Sequence, residues 1–166
     1  MQQKIEGGQE TQAPAAPFNL EHWNYRLREL NPWVPDFEKA SSQNPSFAVA
    51  RKAACLQRSQ AGMAAWNHWA EGMWALRQEV DAGGVEFERQ SRPDYPSADA
   101  WFAIAEADFR DQHFGPAELN FFDYHFPHNA IFTEAKFTVG AWFDGATFTG
   151  AALFGGATLI EGASFR

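Results

Sequence analysis

The chain has 166 residues, 45% of them hydrophobic and 16% aromatic, with a formal net charge of −8. That length suits one ordinary domain, or a small domain with a short repeat array, and the acidic balance argues against a general binder of phosphate backbones, which needs clustered lysine and arginine. Cys55 is the single cysteine, so an intrachain disulfide and a cysteine-based zinc site are both excluded; set among Ala53, Ala54 and Leu56, it reads as a buried, inert thiol.

Residues 1–17 are rich in Gln, Gly, Ala and Pro and read as a disordered tail without the apolar core of a secretory signal. No window approaches the roughly 18 apolar residues of a membrane span. The expectation is a cytoplasmic chain with no membrane segment. Residues 18–106 read as helical. Asn19 can N-cap a helix to about Leu30 with Trp23, Leu27 and Leu30 on one face, and the two prolines of NPWVPDF (31–37) end it. A long helix is expected from about Pro45 to Asp81, closed by Gly83 and Gly84, with an apolar stripe of Phe47, Leu56, Met63, Trp66, Trp69, Met73, Leu76 and Val80. A Trp/Met stripe at that spacing belongs to a core or a partner interface. Residues 87–101 supply a proline-rich linker, after which Ser97 can cap a short helix over about 98–106.

From residue 107 the composition changes: twelve of the sixteen phenylalanines lie from Phe102 onward. Large apolar anchors recur at Phe109, Phe114, Phe121, Phe126, Phe132, Phe137, Phe143, Phe148, Phe154, Leu159 and Phe165. From Phe121 the steps alternate between five and six residues, a period of eleven, and Pro116 marks a seven-residue step before it. A small residue stands two before the anchor at Ala107, Ala130, Ala135, Ala141, Ala146, Ala152, Ala157 and Ala163. Such spacing fits neither a helix face nor a long flat strand; it predicts short extended segments joined by corners, with anchor and alanine sharing the inward face. Gly140, Gly145, Gly150, Gly156 and Gly162 fall where those corners need a permissive backbone. The predicted fold class is α+β: a helical region capping a short array of stacked extended turns over residues 107–166. The helix at 98–106, with help from the Trp-rich helix, is expected to cover the first turn. The far end has no visible cap: either the sequence is a fragment of a longer repeat protein, or that end docks on something, a second copy of the chain included.

These residues resemble the pentapeptide-repeat family, whose pattern places Ala at the minus-two position and Phe or Leu at the centre. The resemblance covers about residues 107–166 and implies a right-handed, four-sided parallel β-helix, a solenoid of roughly twenty residues per coil. The sixth residue in every second step departs from that pattern and raises the expected coil to twenty-two.

Chemistry is sparse. His113, Asp123, His125 and His128 lie close in sequence, but their spacing matches no ligand motif and no metal site is expected. Asp111, Glu118, Asp123, Glu134, Asp144 and Glu161 show no fixed pairing of the kind acid–base catalysis requires. No nucleophile elbow or phosphate loop is present. The reading is a non-catalytic protein with no catalytic residues and no cofactor. Some pentapeptide-repeat proteins mimic duplex DNA and bind gyrase, which makes a DNA mimic the alternative. Yet six acids against three bases between Arg110 and Arg166 make a weak acidic ladder. Ice binding finds only short threonine ladders, Thr147 with Thr158 and Thr138 with Thr149, broken by Lys136 and Ile160. The favoured function is a scaffold for protein–protein contact whose partner is a protein and not nucleic acid. The residue before each anchor should face outward: Ile131, Lys136, Trp142, Thr147, Leu153, Thr158 and Ser164. Of these, Ile131, Trp142 and Leu153 form the candidate interface, the alternative being that the N-terminal helices or further sequence fold back over them.

Overall fold

The computed structural model describes residues 18–34, 36–41, 43–83, 98–115 and 120–166. The expected tail at 1–17, most of the linker, the Ser97 cap, Glu118 and the corner at Pro116 lie outside the described residues.

Helix α1 spans Leu20–Leu30, capped as its sequence predicts: Asn19 Oδ1 accepts a hydrogen bond from the His22 amide at 3.0 Å. A 3-10 turn at Phe37–Lys39 follows. The single long helix expected from Pro45 is instead two, α2 at Pro45–Gln60 and α3 at Met63–Ala82. Asn44 caps α2 with Pro45 in its first turn, a position where the missing amide is not needed. The break lies at Gly62, whose φ of +105° is open to glycine and strained for other residues. Apolar spacing runs through the break without a signal. The stripe residues beside it leave the core: Leu56 is half-buried and Met63 is 43% exposed. In α2 the inward face is carried by Phe47, Arg51, Ala54, Cys55 and Ser59. Helix α4 covers Ala98–Ala105.

Ten two-residue strands follow among the described residues. They are β1 Ala107–Asp108, β2 His113–Phe114, β3 His125–Phe126, β4 Ala130–Ile131, β5 Lys136–Phe137, β6 Ala141–Trp142, β7 Thr147–Phe148, β8 Ala152–Leu153, β9 Thr158–Leu159 and β10 Ala163–Ser164. They form four small parallel sheets: β1-β4-β8, β2-β5-β9, β10-β6 and β3-β7. The chain visits these sheets in one fixed rotation. Phe121 takes the place below β6, its amide donating to Trp142 O at 2.9 Å. Partners are twenty-two residues apart in the upper layers, as in Ala130↔Ala152 and Phe126↔Phe148. They are twenty-three apart where the register crosses residues 115–120, as in Phe114↔Phe137.

The alternation of five and six has a physical cause: the corners come in two kinds. Each five-residue step holds a β-turn that returns an amide to its anchor's carbonyl. Examples are Tyr124 N to Phe121 O at 3.2 Å and Ala146 N to Phe143 O at 3.0 Å. The third residue of these turns has positive φ: Asp111, Asp123, Glu134, Gly145 and Gly156. Type II turns demand that conformation, and Asp tolerates it better than most side chains. The six-residue steps lack that hydrogen-bonded turn, although Gly162 in the last of them has φ +92°. Gly140 and Gly150 lie there with ordinary φ and serve closeness instead, since a Cβ at Gly150 would fall 2.7 Å from the Asn129 backbone.

Inside, phenylalanines stack face to face one layer apart. Phe121 lies 5.0 Å from Phe143, Phe126 4.8 Å from Phe148, and Phe132 5.0 Å from Phe154, each nearly parallel. Phe121, Phe126, Phe132, Phe137 and Phe143 are buried, as are Ala130, Ala135 and Ala141. Each ring removed from water contributes about 2–3 kcal/mol. One hydrophobic cluster joins this column to the helices, from Trp23 and Leu27 through Trp66 and Met73 to Phe143.

Candidate functional site

The column has two ends, and they differ. At the end nearer the helices, α2 packs on β1 and α3 on β3. Trp66 lies across the column axis, its ring 5.7 Å from Phe109, 5.8 Å from Tyr124 and 5.5 Å from Phe126. Its indole N–H donates to His125 O at 2.8 Å. Asn67 does a strand's work with a side chain: its Nδ2 donates to Asp123 O and its Oδ1 accepts from the His125 amide, both at 2.8 Å. The lower edge of β3 is thereby satisfied. Below β1, Cys55 Sγ accepts from the Asp108 amide at 3.5 Å and donates to Glu106 O at 3.7 Å. Burial pushes this thiol's pKa up, in keeping with an inert cysteine. Of the two helices expected to cover the first turn, the Trp-rich one, here α2 and α3, does most of it. Helix α4 stands beside the column with Trp101 and Phe102 against His128.

The same junction holds a buried ionic cluster that nothing in the sequence announces. Arg51 is fully buried in α2. It donates to Ala103 O at 2.9 Å and meets Asp108 Oδ2 at 3.2 Å and Glu106 Oε1 at 3.1 Å. Arg110 reaches the same two acids at 3.5 and 3.7 Å. Burial raises the Glu106 pKa, and Arg51 and Arg110 oppose that rise. The motif AVARKAA, in which Arg51 sits, offers no hint, because partners more than fifty residues away appear only on folding.

The other end carries no such cover among the described residues. Strands β7, β8, β9 and β10 each pair on one side only among the described residues. Phe148, Phe154, Leu159, Ala146 and Ala157, inward by pattern, are half-buried. Ala152 and Ala163 are exposed, Phe165 is 55% exposed and Ile160 63%. Phe165 still stacks on Phe143 at 5.0 Å. The lower half of the predicted ladder is therefore enclosed, and its upper half lines an open apolar end.

The outward triplet does not form one patch. Ile131, expected to face solvent, is 4% exposed, because the helix-covered side of its sheet extends from Asp108, also buried, up to β4. Leu153, next in that sheet, is 44% exposed. Trp142 is 46% exposed but belongs to the β10-β6 sheet, two sheets further round, with its indole over Gly140. Lys136, Thr147 and Thr158 are exposed and Ser164 half-buried, its hydroxyl donating to Asp144 at 2.7 Å.

The histidines are not brought together. His113 is exposed on β2, His125 faces Glu71 at 3.6 Å, and His128 packs on Phe102. Burial, and then the Arg77 charge, lower the His128 pKa. Among the described residues no three His, Cys, Asp or Glu side chains lie close enough to hold a metal, and no helix is long and apolar enough to cross a membrane. Comparison with protein-family models, with curated proteins and with solved structures finds no match.

Proposed function

We propose that residues 107–166 form a right-handed, four-sided β-helix of the pentapeptide-repeat kind, and that the chain is a non-catalytic cytoplasmic scaffold for protein–protein contact. The fold reading is supported by the fixed rotation through four parallel sheets, the register of twenty-two and the inward Ala and Phe columns. A stack braced by helices is rigid and presents its outer faces to solvent. The observation that carries the contact reading is Trp142, 46% exposed on the outer face of the β10-β6 sheet. Exposed tryptophans on rigid surfaces are the side chains that most often anchor protein contacts. The exposed outward strand residues Lys136, Trp142, Thr147, Leu153 and Thr158 include no carboxylate. The gyrase-directed DNA mimic is therefore the weaker reading.

A benzophenone analogue placed at Trp142 and, separately, at Tyr25 tests this. Both rings are exposed, at 46% and 56%, but only Trp142 lies on the column, Tyr25 being on α1. Covalent protein adducts in cells should form from position 142 and far less from 25; equal yields, or none at 142, sink the contact reading.

A further inference from the structure

We propose that the protein which contacts Trp142 presents an arginine, taken between the Trp142 indole and the carboxylate of Asp144. This rests on the contact reading above and adds the chemistry of the partner.

Trp142 stands on an outer face and not at an edge. Asn120 lies below it in register and Ser164 above it, so its neighbours within the sheet are in place on both sides. Its indole rests against Gly140, where a Cβ would fall 2.9 Å from the ring, and the residue is still 46% exposed. A second exposed tryptophan gives the comparison. Trp74 is 37% exposed and carries the Arg77 guanidinium 5.8 Å from its ring centre. Arg58 lies over Trp69 in the same way, at 3.9 Å. Among the described residues no arginine or lysine lies over Trp142. Tryptophan is the side chain whose ring attracts a cation most strongly, and at Trp142 that attraction is unused within the chain.

The charge beside the ring has the matching sign. Asp144 follows Trp142 by two residues, so both side chains face outward. Ser164, directly above Trp142 in register, donates its hydroxyl to Asp144 Oδ1 at 2.7 Å. That bond holds the carboxylate on the tryptophan side of the corner. Asp123 is exposed at the corner below, with its carboxylate against Gly145. Among the described residues neither acid is ion-paired, and Arg166, next to Asp144 in register, pairs with neither. A guanidinium fits both halves of this surface: its flat face stacks on an indole while its edge donates N–H groups to a carboxylate. An ammonium matches the charge without the stacking. Phe122, 41% exposed beside Asp123, offers apolar surface to the arginine's methylene stem.

Each half contributes modestly, since an exposed stacked cation and an exposed ion pair are each worth about two- to fivefold in affinity. The site recognises an arginine within a larger contact and holds a free one weakly.

Indole N–H resonances of the full chain, isotope-labelled at tryptophan and assigned for position 142 with Trp142→Phe, read the site directly. N-acetyl-arginine amide should move the Trp142 resonance along a saturating curve. N-acetyl-norleucine amide, similar in stem but uncharged, should need at least fivefold more for the same shift. Asp144→Asn keeps an acceptor for the Ser164 hydroxyl and removes the charge, and should weaken the arginine probe at least twofold. The Trp74 resonance, whose ring already carries Arg77, should move less. Equal potency of the two probes, or a Trp142 resonance that neither probe moves, overturns the arginine. Protein adducts from position 142 would then still leave the contact reading standing, whereas saturable arginine binding without adducts would overturn the contact reading and leave a bare arginine site.

Discussion

Ile131 and Leu153 occupy the same place in consecutive layers, adjacent in register and equivalent in the repeat. One is 4% exposed and the other 44%. The same contrast runs through the whole column: Phe143 is buried and Phe165, stacked on it, is more than half exposed. A repeat writes one residue pattern for every layer, but burial depends on what lies above, below and beside that layer. The lower end is finished by side chains from elsewhere in the chain, Trp66 and Asn67 foremost, while the last layer keeps the sheet edges and apolar surface that such side chains remove.

The largest expected effect breaks the finished end. Trp66→Ala removes a fully buried ring and the hydrogen bond to His125 O, and should destabilise the protein by about 3–5 kcal/mol in chemical denaturation. Phe165→Ala, at the open end, should cost no more than about 1.5 kcal/mol, because over half of the ring is already in water. Equal losses would mean that the two ends are not distinct.

Arg51→Ala comes next. It leaves Glu106 and Asp108 in a buried site without their nearest cation and should cost about 3–5 kcal/mol. Its pH dependence has a definite sign. Burial already raises the Glu106 pKa, so the folded state holds that proton more tightly than the unfolded chain. This favours the fold below the unfolded carboxylate pKa, and the benefit is lost as pH rises through the folded value. Without Arg51, a larger part of the stability should disappear between acidic and neutral pH, as read from denaturation midpoints.

Gly62→Ala should cost about 1–3 kcal/mol by forcing a side chain into φ +105°. No atom stands within 4 Å of the added Cβ, so the loss measures backbone strain alone, and a neutral result would show α2 and α3 running as one helix. The smallest effect concerns His128. Its pKa is lowered in the fold by burial and by Arg77, so the unfolded chain takes up the proton first. Stability from this group is present above the unfolded histidine pKa and lost as pH falls toward the folded value. His128→Gln should flatten the stability profile on the acid side of neutrality; an unchanged slope would remove this group from the balance.

Local patterns made several elements readable. Asn19 capping α1, Asn44 with Pro45 opening α2, and the Ala and Phe columns all act through neighbours within a few residues or one repeat. The eleven-residue period also anticipated two steps of unequal length, though not their cause, a β-turn with positive φ alternating with a plain bend. The break at Gly62 was hidden because the apolar spacing is the same on both sides of it.

The order of residues thus dictates what repeats: where the chain turns, which side chains point into the column and that layers recur every twenty-two residues. These follow from short-range backbone preferences and from alternation in extended chain. Which layers end up sealed, that Arg51 becomes a buried ion, that Asn67 completes a strand edge, and that Ile131 is covered while Trp142 stands on another face were settled on folding. Each depends on contacts across roughly twenty to sixty residues, and such contacts answer to shape and desolvation, which leave no periodic mark along the chain.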